Sequence, residues 1–155
     1  MLKGAEQLRL RNMDSKDLTQ VCEIEKRAQQ SPWSKSLFQE SLSKQYRCRV
    51  VEYDGAIIAY HVVCAVVDEL HILNIVVDPS CQGKVIGHVL LEDIIDIAEQ
   101  EESNRIFLEV RSSNQIAQSL YQKWQFEPLS VRKGYYRTKE KQREDALVMV
   151  KNLTD

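Results

Sequence analysis

Val77-Asp78-Pro79-Ser80-Cys81-Gln82-Gly83-Lys84-Val85-Ile86-Gly87-His88 holds the end of an apolar strand, a polar turn with glycine, and the start of a long helix. Leu70 to Val77 reads as the strand, closed by Asp78-Pro79. Roughly Ile86 to Glu101 reads as the helix, with Val89, Leu90, Ile94 and Ile97 on one stripe. The unpaired N–H groups at such a helix start, at the positive end of its dipole, suit a phosphate or pyrophosphate. From this segment alone, a plain connection shaped by two glycines reads equally well.

Outward from that segment the pattern is mixed. Leu8 and Leu10 alternate with Arg9 and Arg11 in an opening strand. Asp14 caps a helix carrying Leu18, Val21, Ile24 and Ala28, and Ser34, after Pro32, caps a short one carrying Leu37, Phe38 and Leu42. Cys48 to Tyr53 and Ala56 to Val67 are strands joined by the hairpin signal Asp54-Gly55, and Asp68-Glu69 is the next turn. Beyond the long helix come a strand at Ile106 to Val110, a helix from Asn114 through Trp124, and a closing strand at Ala146 to Val150 within a final β region. The expected class is α+β, one central, mostly antiparallel mixed sheet flanked by helices, in one domain over residues 1–155.

Two further segments bear on chemistry. Alternation in Phe107-Leu108-Glu109-Val110-Arg111 puts Phe107, Glu109 and Arg111 on one face. A carboxylate inside an apolar strand suits a general base, because desolvation favours its protonated form. The competing reading is an ion pair with Arg111 or across strands at a sheet margin. Asn114 is a good N-cap, and Tyr121 lies on nearly the same stripe two turns on. A tyrosine facing a cleft can give up a proton, though such residues also serve as core with a satisfied hydroxyl.

Composition narrows the classes. The hydrophobic and charged fractions, 43% and 28%, are those of a globular protein, and a net charge of −2 argues against general nucleic-acid binding. Cys22, Cys48, Cys64 and Cys81 form no Cys-x-x-Cys pair and read as thiols in a reducing compartment. His61, His71 and His88 lack metal-ligand spacing, so no metal is expected. The N-terminus lacks the apolar stretch of a signal peptide, and the run from Ala56 to Val67 is far short of the about 20 residues a membrane helix needs. A cytoplasmic protein, with no membrane and no direct nucleic-acid contact, is expected.

The three segments, in this order and spacing, resemble the GNAT acetyltransferases, and among them the ribosomal-protein-alanine N-acetyltransferases. The matching stretches are Pro32-Trp33-Ser34 with Phe38-Gln39-Glu40-Ser41, Leu73 to Pro79, Leu108-Glu109-Val110-Arg111-Ser112-Ser113-Asn114, Leu120-Tyr121, Tyr135-Tyr136 and Arg143-Glu144-Asp145-Ala146. The resemblance implies the GNAT fold and acetyl-CoA as co-substrate. It implies that Ile75, Val76 and Val77 lend backbone to the pantetheine and acetyl group. Gln82, Gly83, Lys84, Val85, Ile86, Gly87 and His88 would hold the pyrophosphate, with Asn114 also on the cofactor. Glu109 would be general base and Tyr121 general acid, with Trp33, Tyr135 and Tyr136 flanking the incoming peptide. The implied partner is a ribosomal protein N-terminus, met by a monomer or weak dimer.

The chemistry is consistent with that. Neutralising an α-amine at pH 7 costs about 1 kcal/mol, against nearly 5 for a lysine. A glutamate acting through water suffices for an N-terminus, a tyrosine stays protonated to serve the departing thiolate, and no cysteine intermediate is called for. The same chemistry on a lysine, polyamine or other small amine, and a catalytically weak peptide- or ribosome-binding module, are the alternatives. Departures from the family pattern bear on these. Val85 stands where the family turn has its first glycine, Trp124-Gln125-Phe126 replaces Leu-Gly-Phe, and the loop after Tyr136 lacks proline and glycine and runs about one residue longer.

Overall fold

Seven strands form one sheet in the order β1-β2-β3-β4-β5-β7-β6 in this computed structural model, which describes residues 7–138, 140 and 142–153 and leaves the Lys84 side chain aside. The strands are β1 (Leu8–Asn12), β2 (Arg47–Tyr53), β3 (Ala56–Val66), β4 (Glu69–Val77), β5 (Arg105–Arg111), β6 (Glu127–Arg137) and β7 (Arg143–Asn152). The helices are α1 (Leu18–Ala28), α2 (Lys35–Ser43), α3 (Lys84–Gln100) and α4 (Gln115–Lys123). Every neighbouring pair is antiparallel except β4 with β5. That is the α+β class and the mostly antiparallel sheet expected from sequence.

Strand alternation divides the core between two helical layers. Val50, Tyr60, Val62 and Val76 face α1 and α2, where they bury Leu18, Val21, Ile24 and Phe38. Val51, Ala59, Val63 and Leu70 face the other side, against Ile86, Leu90, Leu91, Ile94 and Ile97 of α3. Asp54 and Gly55 both take positive φ, 53° and 81°, as the hairpin signal demands. Ser34 and Asn114 cap α2 and α4 through their side-chain oxygens. Asp14 and Asp17 form a capping box on a 3-10 turn that runs into α1.

Three expectations are corrected. The second turn lies at Val67-Asp68, one residue early, with the fully exposed Val67 at φ 57°. The long helix starts at Lys84 rather than Ile86, so Val85 sits in its first turn outside the set of positive-φ residues. Its backbone is therefore unstrained. The last region contains two long strands, β6 and β7, where only the second was placed. The loop beyond Tyr136, expected to be longer, includes Lys139 and Lys141, which lie outside the described residues.

The absent glycine after α4 has a structural outcome. Gln125 occupies the left-handed position at φ 68°, and Phe126 N–H reaches the Tyr121 carbonyl at 3.0 Å. With Gln125 N–H on Gln122 and the Tyr121 and Phe126 rings 5.8 Å apart, this is a Schellman motif built without glycine. Gln45 and Glu102 occupy the same position after α2 and α3.

One polar cluster is buried between β2, β3 and α3. His61 on β3 is fully buried, and its Nε2 lies 2.7 Å from Asp93 on α3, which also accepts two bonds from Arg49 on β2. His61 Nδ1 has no hydrogen-bond partner among the described residues, so a second ring proton there would be unsatisfied. Burial, outweighing Asp93, holds the His61 pKa below its ordinary 6.5. A depressed histidine stabilises the fold above its unfolded pKa and loses that contribution as pH falls. Stability should therefore drop by up to about 2 kcal/mol between pH 7 and pH 5. Denaturant titrations at both pH values check this: His61→Gln should show a flatter dependence, and an equal slope in both proteins would place the titrating group elsewhere.

Candidate active site

β4 and β5 are paired only at Glu69 to His71 with Arg105 to Phe107. Beyond His71 they part. The separation follows a bulge in β4: Val62 pairs with Asn74 and Val63 with Ile72, leaving Leu73 unopposed. A cavity of about 680 Å³ occupies the gap, walled by Ile72 to Val77 on one side and Leu108 to Arg111 on the other. Backbone amides of parted strands offer a ladder to an extended chain bearing amides of its own.

The cavity brings together most of the residues singled out from sequence. Ile75, Val76, Val77, Gln82, Gly83, Gly87, His88, Glu109, Asn114, Tyr121, Trp33 and Tyr136 all line it. Val85, Ile86 and Tyr135 do not. Ile86 is core, Val85 is 54% exposed, and Tyr135 is 43% exposed beside the cavity.

The α3 end of the cavity has the features of an anion site. Gly83 is the N-cap and makes no side-chain cap bond, unlike Ser34 and Asn114, so the first-turn N–H groups are left to other partners. Gly87 serves packing: a Cβ there would meet Leu120 Cδ2 of α4 at 2.8 Å. Trp124 Nε1 donates to His88 Nδ1 at 2.6 Å, which leaves the neutral imidazole its proton on Nε2.

At the other end, Glu109 Oε1 accepts from Arg132 at 2.9 Å, and its buried Oε2 has no partner among the described residues. The cross-strand ion pair weighed from sequence is thus present, with Arg132 rather than Arg111. Arg111 instead pairs with Glu144 and lies 4.5 Å over the Tyr136 ring. Glu144 takes the Ser113 N–H at 2.8 Å, which fixes the turn before Asn114. Tyr121 is core-packed, and its hydroxyl donates to no described residue. Burial, then neighbouring Tyr136, drives its pKa well above 10, and burial and Glu109 push Tyr136 up to about 12.

Sequence reasoning missed Glu25. This fully buried carboxylate accepts from Tyr60 hydroxyl at 2.6 Å, Trp33 N–H at 2.9 Å and Asn74 amide at 3.2 Å. It thereby fixes the loop after α1 and the Asn74 wall of the cavity. A signal existed: Glu25 lies one turn after Val21, on the apolar stripe of α1. Ser31 in the same loop donates to the Arg137 carbonyl at 3.2 Å, tying that loop to the β6–β7 hairpin.

No helix of the described residues is long and apolar enough to cross a membrane. All four cysteines are free. The profile of the Acetyltransferase (GNAT) family matches residues 18–126. The [ribosomal protein bS18]-alanine N-acetyltransferase of Escherichia coli (strain K12) is 35% identical over 138 residues, 89% of this chain and 93% of that one. The protein so named in Salmonella typhimurium is 34% identical over 137 residues, 88% and 92% of the two chains. The crystal structure of the ribosomal-protein-S18-alanine N-acetyltransferase from Escherichia coli superposes with TM-score 0.88 at 32% identity, covering 96% of this chain and 95% of that chain.

Gly87→Ala tests the packing at the α3 end of the cavity. The added methyl displaces Leu120, a flexible side chain that also lines the cavity. Acetyl-CoA binding by calorimetry should weaken roughly fivefold, equivalent to about 1 kcal/mol, with the melting temperature nearly unchanged. A lower melting temperature with unaltered binding would make the glycine purely structural.

Proposed function

The chain belongs to the Acetyltransferase (GNAT) family and is an acetyl-CoA-dependent N-acetyltransferase, and on that premise we propose that it acetylates the N-terminal alanine of a small-subunit ribosomal protein in the cytoplasm. The names of its bacterial relatives, and a similarity that spans most of both chains, support the acceptor. The observation that carries the chemistry is a single cavity lined by Glu109, Tyr121 and the parted backbones of β4 and β5.

Residues of the cavity divide the labour. Ile75, Val76 and Val77 offer backbone groups to the pantetheine, and the first turn of α3 from Gly83 to His88 holds the pyrophosphate, with Asn114 beside it. Acetyl-CoA supplies an acetyl group activated as a thioester. Glu109 takes the proton of the acceptor ammonium, directly or through one water, so that a neutral amine attacks. Tyr121 holds its proton for the sulfur that departs. Trp33 and Tyr136 flank the acceptor peptide.

Peptides with free N-terminal alanine, followed by mass spectrometry, should gain one acetyl group, while N-terminally blocked lysine peptides stay unmodified. Label on blocked lysine peptides alone would overturn the α-amine reading. Glu109→Gln should lower kcat/KM by about 10²–10⁴ with acetyl-CoA affinity retained. An unaltered rate would make Glu109 structural.

The raised Tyr121 pKa has a consequence for pH. A hydroxyl held above its ordinary value stays protonated, so kcat should show no alkaline limb from this group below about pH 10. Tyr121→Phe should lose kcat while keeping acetyl-CoA affinity and melting temperature. A large fall in melting temperature with kcat kept would identify a core tyrosine only.

A further inference from the structure

Glu109 is held from two strands away. In the register, Arg132 of β6 stands opposite Ala146 of β7, which stands opposite Arg111 of β5. Glu109 belongs to the next row, opposite Val148. The Arg132 guanidinium therefore crosses β7 diagonally, past a side chain that is only a methyl, to reach Glu109 Oε1 at 2.9 Å. A larger residue at Ala146, which is fully buried, would stand in that path.

Arg132 also has a seat. Its guanidinium lies 4.1 Å over the ring of Tyr135, and Tyr135 packs edge-on against Tyr136 at 5.0 Å. The β6 register shifts between Arg132 and Tyr136, where Gly134 takes φ 61° and donates its N–H to Asp145 at 3.0 Å. This bulge separates the two tyrosines: Tyr136 enters the cavity wall beneath Arg111, while Tyr135 stays outside beneath Arg132. Each arginine, stacked on its own ring, holds one carboxylate, Glu144 for Arg111 and Glu109 for Arg132.

The Arg132 and Glu109 side chains are 52% and 30% exposed, and a pair that exposed contributes little to stability. We propose that Arg132, seated on Tyr135, is a positioning residue for Glu109. By occupying Oε1 it fixes the carboxylate in one rotamer and leaves Oε2 to the acceptor amine or its water. Tyr135 acts through Arg132 and not by touching the peptide. This inference rests on Glu109 being the general base.

Steady-state kinetics with an alanine-N-terminal peptide, acetyl-CoA calorimetry and melting curves test it. Arg132→Gln should lower kcat about 10- to 100-fold, the scale of a misplaced catalytic group, with peptide KM, acetyl-CoA affinity and melting temperature near wild type. Arg132→Lys, which restores a cationic donor, should recover most of that loss. Tyr135→Ala should lower kcat in the same direction. Adding Arg132→Gln to Glu109→Gln should cost nothing further, because the first substitution acts only through the second residue.

Unchanged kcat in Arg132→Gln would overturn the proposal, as would raised peptide KM with kcat kept, which marks a substrate contact. A lowered melting temperature with kcat kept would equally overturn it, marking a strand clamp. If Glu109→Gln is itself as fast as wild type, the general-base reading fails and the positioning role with it. If Glu109→Gln is slow and Arg132→Gln is not, only the positioning role fails.

Discussion

The parting of β4 from β5 is the constraint on which the rest of the molecule depends. Parallel pairing ends at His71 and Phe107, and the bulge at Leu73 turns the remainder of β4 away. Two consequences follow from one geometric event. Backbone that a continuous sheet would consume is exposed to a cavity, and the helices leaving the two strand ends, α3 and α4, begin on either side of it. Leu120 of α4 closes on Gly87 of α3, so the gap between strands is bridged above by a helix contact so close that even a methyl there would displace Leu120.

Much of this was legible in the sequence because it is local. Asp54-Gly55, Ser34 and Asn114 act through their own backbone neighbourhood, and each forms the expected turn or cap. The turn at Val67 was not legible, since a β-branched residue is the last expected in a left-handed position. Strand β6 escaped notice because it is an exposed edge, carrying Pro128 and two register shifts that break its alternation. The start of α3 was misplaced because Lys84 and Val85 lie before the first residue the core requires, Ile86.

The candidate site divides along the same line. Glu109 stood out as an acid on an apolar strand, and Tyr121 by its helical spacing from Asn114. The partner of Glu109 did not stand out, because Arg132 reaches it across a strand that comes later in the chain. Equal weight fell on Tyr135 and Tyr136 for a similar reason: only the bulge at Gly134 decides which ring enters the cavity. Sequence neighbours reveal residue types, whereas orientation at a bulge is a property of the sheet.

The buried carboxylate of Glu25 ties together parts of the chain that drift of sequence would otherwise treat as independent. It is surrounded by donors alone, from Tyr60, Asn74 and the Trp33 backbone, with no cation among those bonds. Exchanging it for an apolar residue strands two side-chain donors in the core, and exchanging either donor leaves the buried acid with fewer bonds. Positions 25, 60 and 74 therefore form one heritable unit, spread over a helix and two strands. Natural variants should keep the set whole or replace it whole, by steps in which the cavity wall at Asn74 and the loop at Trp33 change together.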